Sequence, residues 1–283
     1  MSNYLMRDDA LLSAEEWGKL DELVVQVARK MLVGRRFITL AGPLGVGIQT
    51  VPVAAVGTGQ ACLHDEEGCA CKAGECNVIQ VTGRKFLALP IIHQDFRLAW
   101  RDMETSRQMG WPLELGPAAA ASAACAHAED ELIFHGHPDH GYEGLLSAAG
   151  RHTAPLAKWD EPGSAFANVV AATEALVADG YYGPFAAILS PALYARTQRV
   201  ARDIGRLESS LIEDLVEGGL FYSSVLAENQ GLVVALGAHN FDLAVAQDLI
   251  TAYLGPENLD HNFRVMESLV LRIKRPGAIC TLE

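Results

Sequence analysis

No apolar run in the 283-residue chain approaches the roughly 20 residues that span a bilayer, so no membrane partner is expected. Positive charge is also scarce. Lys and Arg number 22 against 35 Asp and Glu, a net −13, which argues against a nucleic-acid partner and favours attraction of cations. The opening residues, MSNYLMRDDALLSAEEW, are acidic and hold no apolar h-region. A secretory leader is therefore not expected, and the protein is read as cytoplasmic, where thiols stay reduced. Catalytic signatures are missing too: there is no G-x-S-x-G elbow and no H-E-x-x-H. Gly42, Gly45 and Gly47 precede no Gly-Lys-Ser/Thr and are read as turn glycines.

Half of the residues are apolar and 20% are charged, the balance of a globular chain with a large core, in one domain or two to three packed together. Ser13 and Glu16 form an S-x-x-E capping box, and Trp17, Leu20, Val24, Val27 and Met31 follow at 3-4-3-4 spacing. The pattern predicts an amphipathic helix over 14–33, ended by Gly34. Its stripe either packs on its own domain or leaves a groove for a partner peptide. A short strand is expected near 37–41, then an exposed excursion over 50–82. A hairpin follows, with strands near 78–82 and 85–91 and a turn at Gly83, and then a helix over 94–108. After Pro117 an Ala-rich helix runs to Gly136, and Ser190-Pro191 reads as N-cap and N1 of another helix. The last third returns to strands, so the expected class is α+β.

Two constellations carry metal-ligating groups. CLHDEEGCACKAGEC places Cys62, Cys69, Cys71 and Cys76 at C-x6-C-x-C-x4-C, which matches no zinc-knuckle or ferredoxin spacing. A tetrahedral metal site with His64 as an alternative ligand, two loop disulfides or intersubunit bridges, and free thiols all remain open. HGHPDHGYEG puts His135, His137 and His140 beside Asp139 and Glu143. Imidazole and carboxylate suit zinc or iron, but Gly136, Pro138 and Gly141 mark a loop, where solvated histidines are the default. Cys125 and Cys280 read as small buried hydrophobes.

With these elements in order, the chain closely resembles the encapsulins, the linocin-like shell proteins of bacterial and archaeal nanocompartments. The resemblance runs along LLSAEEWGKLDELVVQVARKMLVGRRFITLAGPLGVGIQTVPV, RKFLALPIIHQDFRLAWRDMETSR, EDELIFHG with GYEGLL, GPFAAILSPALY and FRVMESLVLRIKRPGAICTL. It implies the major-capsid fold of tailed phages, with an N-terminal helix and arm at 1–49 and an extended E-loop at 50–83. It also implies a peripheral domain at 84–140 and 225–283, holding a spine helix, and an axial domain at 141–224. The implied function is an icosahedral homo-oligomeric shell without catalysis or a required cofactor. Such a shell encloses cargo enzymes, ferritin-like iron-oxidising proteins or dye-decolourising peroxidases, through a C-terminal targeting peptide.

Carried onto this chain, the peptide groove would use Val25, Ala28, Arg29, Leu32 and Thr39. A pore loop would carry Arg202, Asp203, Arg206 and Glu208. A flavin, bound by some encapsulins, would stack at Trp100 beside Arg101. The cysteine cluster is no general feature of the family, so no role transfers to it. The rival readings are a metalloenzyme using that cluster or the 135–143 loop, and a secreted bacteriocin or protease.

Overall fold

The computed structural model describes residues 3–56, 64–65, 68–69, 79–201 and 205–283. Helix α1 (Ala14–Met31) begins at the capping box: Ser13 Oγ accepts the Glu16 N–H at 3.3 Å, and the Glu16 carboxylate accepts the Ser13 N–H at 2.7 Å. Helical spacing buries Trp17, Leu20, Val24 and Ala28, while Met31 at the end of the expected stripe is exposed. Leu32 turns extended and ends the helix, and Gly34 opens a 3-10 turn at 34–36.

After β1 (Leu40–Ala41), strands β2 (Thr50–Val56) and β5 (Val81–Ala88) pair antiparallel as a two-stranded ribbon. Between them lie β3 (His64–Asp65) and β4 (Gly68–Cys69). Two expectations are corrected here. Gly83 is no hairpin turn; it lies inside β5 opposite Ala55, next to a register shift, where a glycine eases a bulge. The expected helix over 94–108 starts later, because β6 (Ile91–Leu98) pairs residue by residue with β14 (Asp260–Ile273) and buries Phe96 and Leu98. Ladder bonds to a strand 170 residues away override the local pattern, and α2 runs from Trp100 to Met109.

Helix α3 (Gly116–Phe134) is the Ala-rich one. Its small residues Ala118, Ala121, Cys125 and Ala126 are buried, and Ser122 Oγ donates to the Val24 carbonyl of α1 at 2.7 Å. Small side chains allow that close approach. Cys125 is buried as read, with its thiol pushed up to about 12 by burial and then by the charge of Glu267. The short pair β7 (Gly136–His137) and β8 (Tyr142–Glu143) follows.

Two larger sheets organise the rest. The first has order β1-β13-β14-β6 and is dominated by the hairpin of β13 (Phe241–Glu257) and β14. Alternate burial along β14 seats Phe263 between Phe96, stacked at 5.3 Å, and Trp17, edge-on at 5.8 Å. The second has order β11-β10-β12-β15-β9, built from β9 (His152–Ala154), β10 (Phe185–Leu189), β11 (Leu220–Tyr222), β12 (Gly231–Ala235) and β15 (Ile279–Leu282). The apolar runs FAAIL, GLVVA and ICTL are buried throughout, as strands covered on both faces require. One face packs on Phe134, Leu145, Leu243 and Leu269. The other is covered by α4 (Ser164–Ala178), α5 (Pro191–Thr197) and α6 (Glu208–Val216). Cys280 lies in this core, its thiol raised to about 11 by burial. Ser190 caps α5, its hydroxyl accepting the Leu193 N–H at 3.2 Å.

Candidate functional site

The edge of α1 beside its buried stripe lines an open groove of about 400 Å³. Val25, Ala28, Arg29 and Leu32 supply one wall, and Arg35, Arg36, Leu40, Asp248 and Leu249 complete it. Four of the five residues named for peptide docking thus converge. Thr39 does not line the groove; it is exposed, and its carbonyl accepts the Leu243 N–H at 3.0 Å, leading into the β1 ladder. Asp248 and Leu249 come from a part of β13 where the register slips between Val245 and Gln247 and again before Ile250. Such irregularities re-aim side chains. Here they bring an acid and an apolar residue to α1.

Behind the groove lies a network of charge. The Arg35 side chain is only 14% exposed and donates to Glu129 at 2.7 Å, Glu267 at 2.7 Å and Asp248 at 2.6 Å. Burial works against its charge, but the bonds from Glu129 and Asp248 and the attraction of Glu267 outweigh it and raise its pKa. Glu129 and Glu267 are fully buried, so one guanidinium faces two buried carboxyls. Burial first, then the Glu129 charge, pushes Glu267 well above the usual carboxylate range. Among the described residues its Oε1 finds no donor, the arrangement of a carboxyl that keeps its proton beside a carboxylate. Asp130, one residue along α3, accepts the Val33 N–H at 2.9 Å and the Gly34 N–H at 3.0 Å. It thereby fixes the turn that presents Leu32, Arg35 and Arg36. A Cβ on Gly34 would lie 2.6 Å from Ile133 Cδ1, so only glycine lets the turn sit this close to α3.

The family model described as "Encapsulating protein for peroxidase" matches residues 1–270. The chain is 45% identical over 286 residues to the type 1 encapsulin shell protein EncA of Myxococcus xanthus, an alignment covering all of this chain and 97% of that protein. The chain belongs to the encapsulin family. The virus-like particle of Pyrococcus furiosus superposes with a TM-score of 0.77 at 21% identity, over 95% of this chain and 100% of that one. The capsid of Myoviridae phage XM1 follows at 0.63 and 10% identity, over 87% and 88%. The fold is therefore that of the tailed-phage capsids, in the α+β class. An encapsulin is a structural shell protein, so the metalloenzyme and the bacteriocin or protease are set aside as primary roles.

Other residues singled out in this encapsulin fall less neatly. Arg202 and Asp203 lie outside the described residues. Arg206 is half exposed and pairs with Asp214 at 2.8 Å. Glu208 is buried at the start of α6, where its Oε1 accepts the Phe166 N–H at 2.7 Å. Its carboxylate is held within the subunit. Trp100 stands in the first turn of α2, 41% exposed, with the Arg101 guanidinium 5.6 Å from its ring. It borders a cavity of about 610 Å³ with Asp9, Met103, Arg107, Tyr253 and His261. Cys62, Cys71 and Cys76 lie outside the described residues, as does the side chain of Cys69. Among the described residues no three His, Cys, Asp or Glu side chains group as a metal centre, and no helix is long and apolar enough to cross a membrane. Sequence reasoning missed Arg35, Arg36, Asp248 and Leu249. The Arg35-Arg36 pair after a helix end was a usable signal. For β13 there was none, since nothing local says that residues 248–249 reach α1.

Proposed function

We propose that the chain is the self-assembling subunit of an icosahedral nanocompartment in the bacterial cytoplasm, and that the groove beside α1 captures the C-terminal targeting peptide of an enclosed cargo enzyme. The carrying observation is the groove itself. Val25, Ala28, Leu32, Leu40 and Leu249 offer an apolar surface, and Arg29, Arg36 and Asp248 offer charges around it. A short peptide with alternating apolar side chains would bury them there and set its register against the charges. Arg29 makes no hydrogen bond or ion pair among the described residues, which leaves it available to a peptide.

The family description names a peroxidase as the enclosed enzyme, and the resemblance adds ferritin-like iron-oxidising proteins; both are cargo classes of this proposal. The shell needs no cofactor for it. A flavin at Trp100 and a metal at the cysteine cluster are additions that the docking step does not use.

The test fuses candidate cargo C-terminal peptides to a fluorescent protein and co-expresses each with the shell. Fluorescence should travel with closed particles. Val25→Asp, which sets a charge on the exposed apolar wall of the groove, and Arg29→Glu, which reverses a flanking charge, should each release it while particles still form. Packaging that persists in both variants rules the groove out, and purified protein showing no closed particles by electron microscopy rules out the shell.

A further inference from the structure

Away from the groove, the hairpin of β7 and β8 holds a side-chain pair that nothing above employs. Gly136 pairs with Glu143 and His137 with Tyr142, and between them 138–140 form one 3-10 turn, closed by the Gly141 N–H on the Pro138 carbonyl at 2.9 Å. The base of the hairpin is tight. A Cβ on Gly136 would strike the Tyr142 carbonyl and the Gly144 nitrogen, and one on Gly144 would strike the backbone of His135 and Gly136. Ser147 Oγ locks the base, accepting the Gly144 N–H and donating to the His135 carbonyl, both at 2.9 Å.

His137 directly precedes the 3-10 turn and His140 ends it, and their side chains project together. Their Nδ1 atoms lie 3.0 Å apart with ring planes at 89°, and both residues are exposed. His135 is committed elsewhere, with Nε2 2.7 Å from the Val225 carbonyl oxygen.

We propose that His137 and His140 form a two-imidazole chelate for a late first-row divalent cation, Cu²⁺, Ni²⁺ or Zn²⁺, with water in the remaining positions. With metal–nitrogen bonds of about 2.0–2.1 Å, a 3.0 Å separation subtends an angle of about 91–97° at the metal. That is the cis angle of the tetragonal geometry Cu²⁺ and Ni²⁺ adopt. A tetrahedral Zn²⁺ would need the nitrogens only about 0.3 Å further apart. One proton now links the two rings, because one nitrogen must donate and the other accept. A cation would take its place and use both Nδ1 lone pairs, the proton moving to Nε2 of the same ring as that neutral imidazole changes tautomer. The chain's net charge of −13 raises the local concentration of any cation.

The test is a Cu²⁺ titration of whole shells, stripped with chelator and with thiols alkylated to remove the cysteines as competing ligands. Wild type is compared with His140→Gln and with the His137→Gln, His140→Gln double variant, each first seen as closed particles. Wild type should bind one more Cu²⁺ per chain than the double variant, with two imidazole nitrogens coupled to the copper by electron paramagnetic resonance. His140→Gln should retain one coupled nitrogen and weaken binding by on the order of tenfold or more. Equal stoichiometry in all three proteins overturns the proposal. So does a wild-type spectrum without two-nitrogen coupling, whatever the variants do.

Discussion

Replacing Asp130 by Asn probes how the groove-forming turn is held. Asp130 is 3% exposed, and burial raises its carboxyl from the ordinary 3.8 to about 6. The N–H groups of Gly34 and Val33 pull the other way, and the charge of Glu129 adds to the rise while Arg36 opposes it. A raised folded-state pKa means that the folded chain holds the proton more tightly than the unfolded chain. The stabilisation is therefore complete below about pH 3.8 and is lost as the pH rises through about 6. Across that whole range the lost stabilisation is about 3 kcal/mol.

Asn does not titrate, so its stability relative to wild type should climb by about 2.5 kcal/mol between pH 4 and pH 7. Against that, Asn offers one acceptor oxygen where the carboxylate offers two, at a pH-independent cost of about 1 kcal/mol. Wild type should be the more stable at pH 4 and the variant at pH 7. Thermal unfolding of assembled shells across that range would read this as a swing of about 5–10 °C in the difference between their midpoints. A difference that stays constant with pH would refute the assignment of a buried, destabilised carboxylate to Asp130.

Arg35→Met removes the one cation bonded to Glu129 and Glu267 among the described residues and should cost about 3–5 kcal/mol at neutral pH, read as a lowered unfolding midpoint. Because Glu267 already holds its proton more tightly than an ordinary carboxyl, acidification relieves it and the loss should shrink. Glu267→Gln, by contrast, mimics the protonated carboxyl and should cost about 1 kcal/mol or less. Wild type should lose stability relative to it as the pH rises through the raised Glu267 value. Phe263→Ala empties the site between Phe96 and Trp17 and should cost about 3–5 kcal/mol in denaturant unfolding.

How far the sequence could be read varied with the range of the interactions. The capping box at Ser13 and Glu16, the Ser190-Pro191 start and the Ala-rich helix are written in side chains a few residues apart, and all three stand in the structure. The helix expected over 94–108 failed in its first turn because the competitor, β14, lies far along the chain. Gly83 misled for a related reason: its strand partner is β2, not the segment that follows it. Glu208 looked like a loop charge until the backbone of Phe166 came to claim it.

The groove divides along the same line. Val25, Ala28, Arg29 and Leu32 follow from helical periodicity together with the family resemblance, because a helix displays its residues by spacing alone. That Asp248 and Leu249 face them, that Arg35 spans to Glu129 and Glu267, and that Asp130 fastens the turn was decided only when β13, β14 and α3 packed around that helix. Each of those partners lies roughly a hundred residues or more away, and a buried charge or a slipped strand register takes its meaning from neighbours that local sequence does not name.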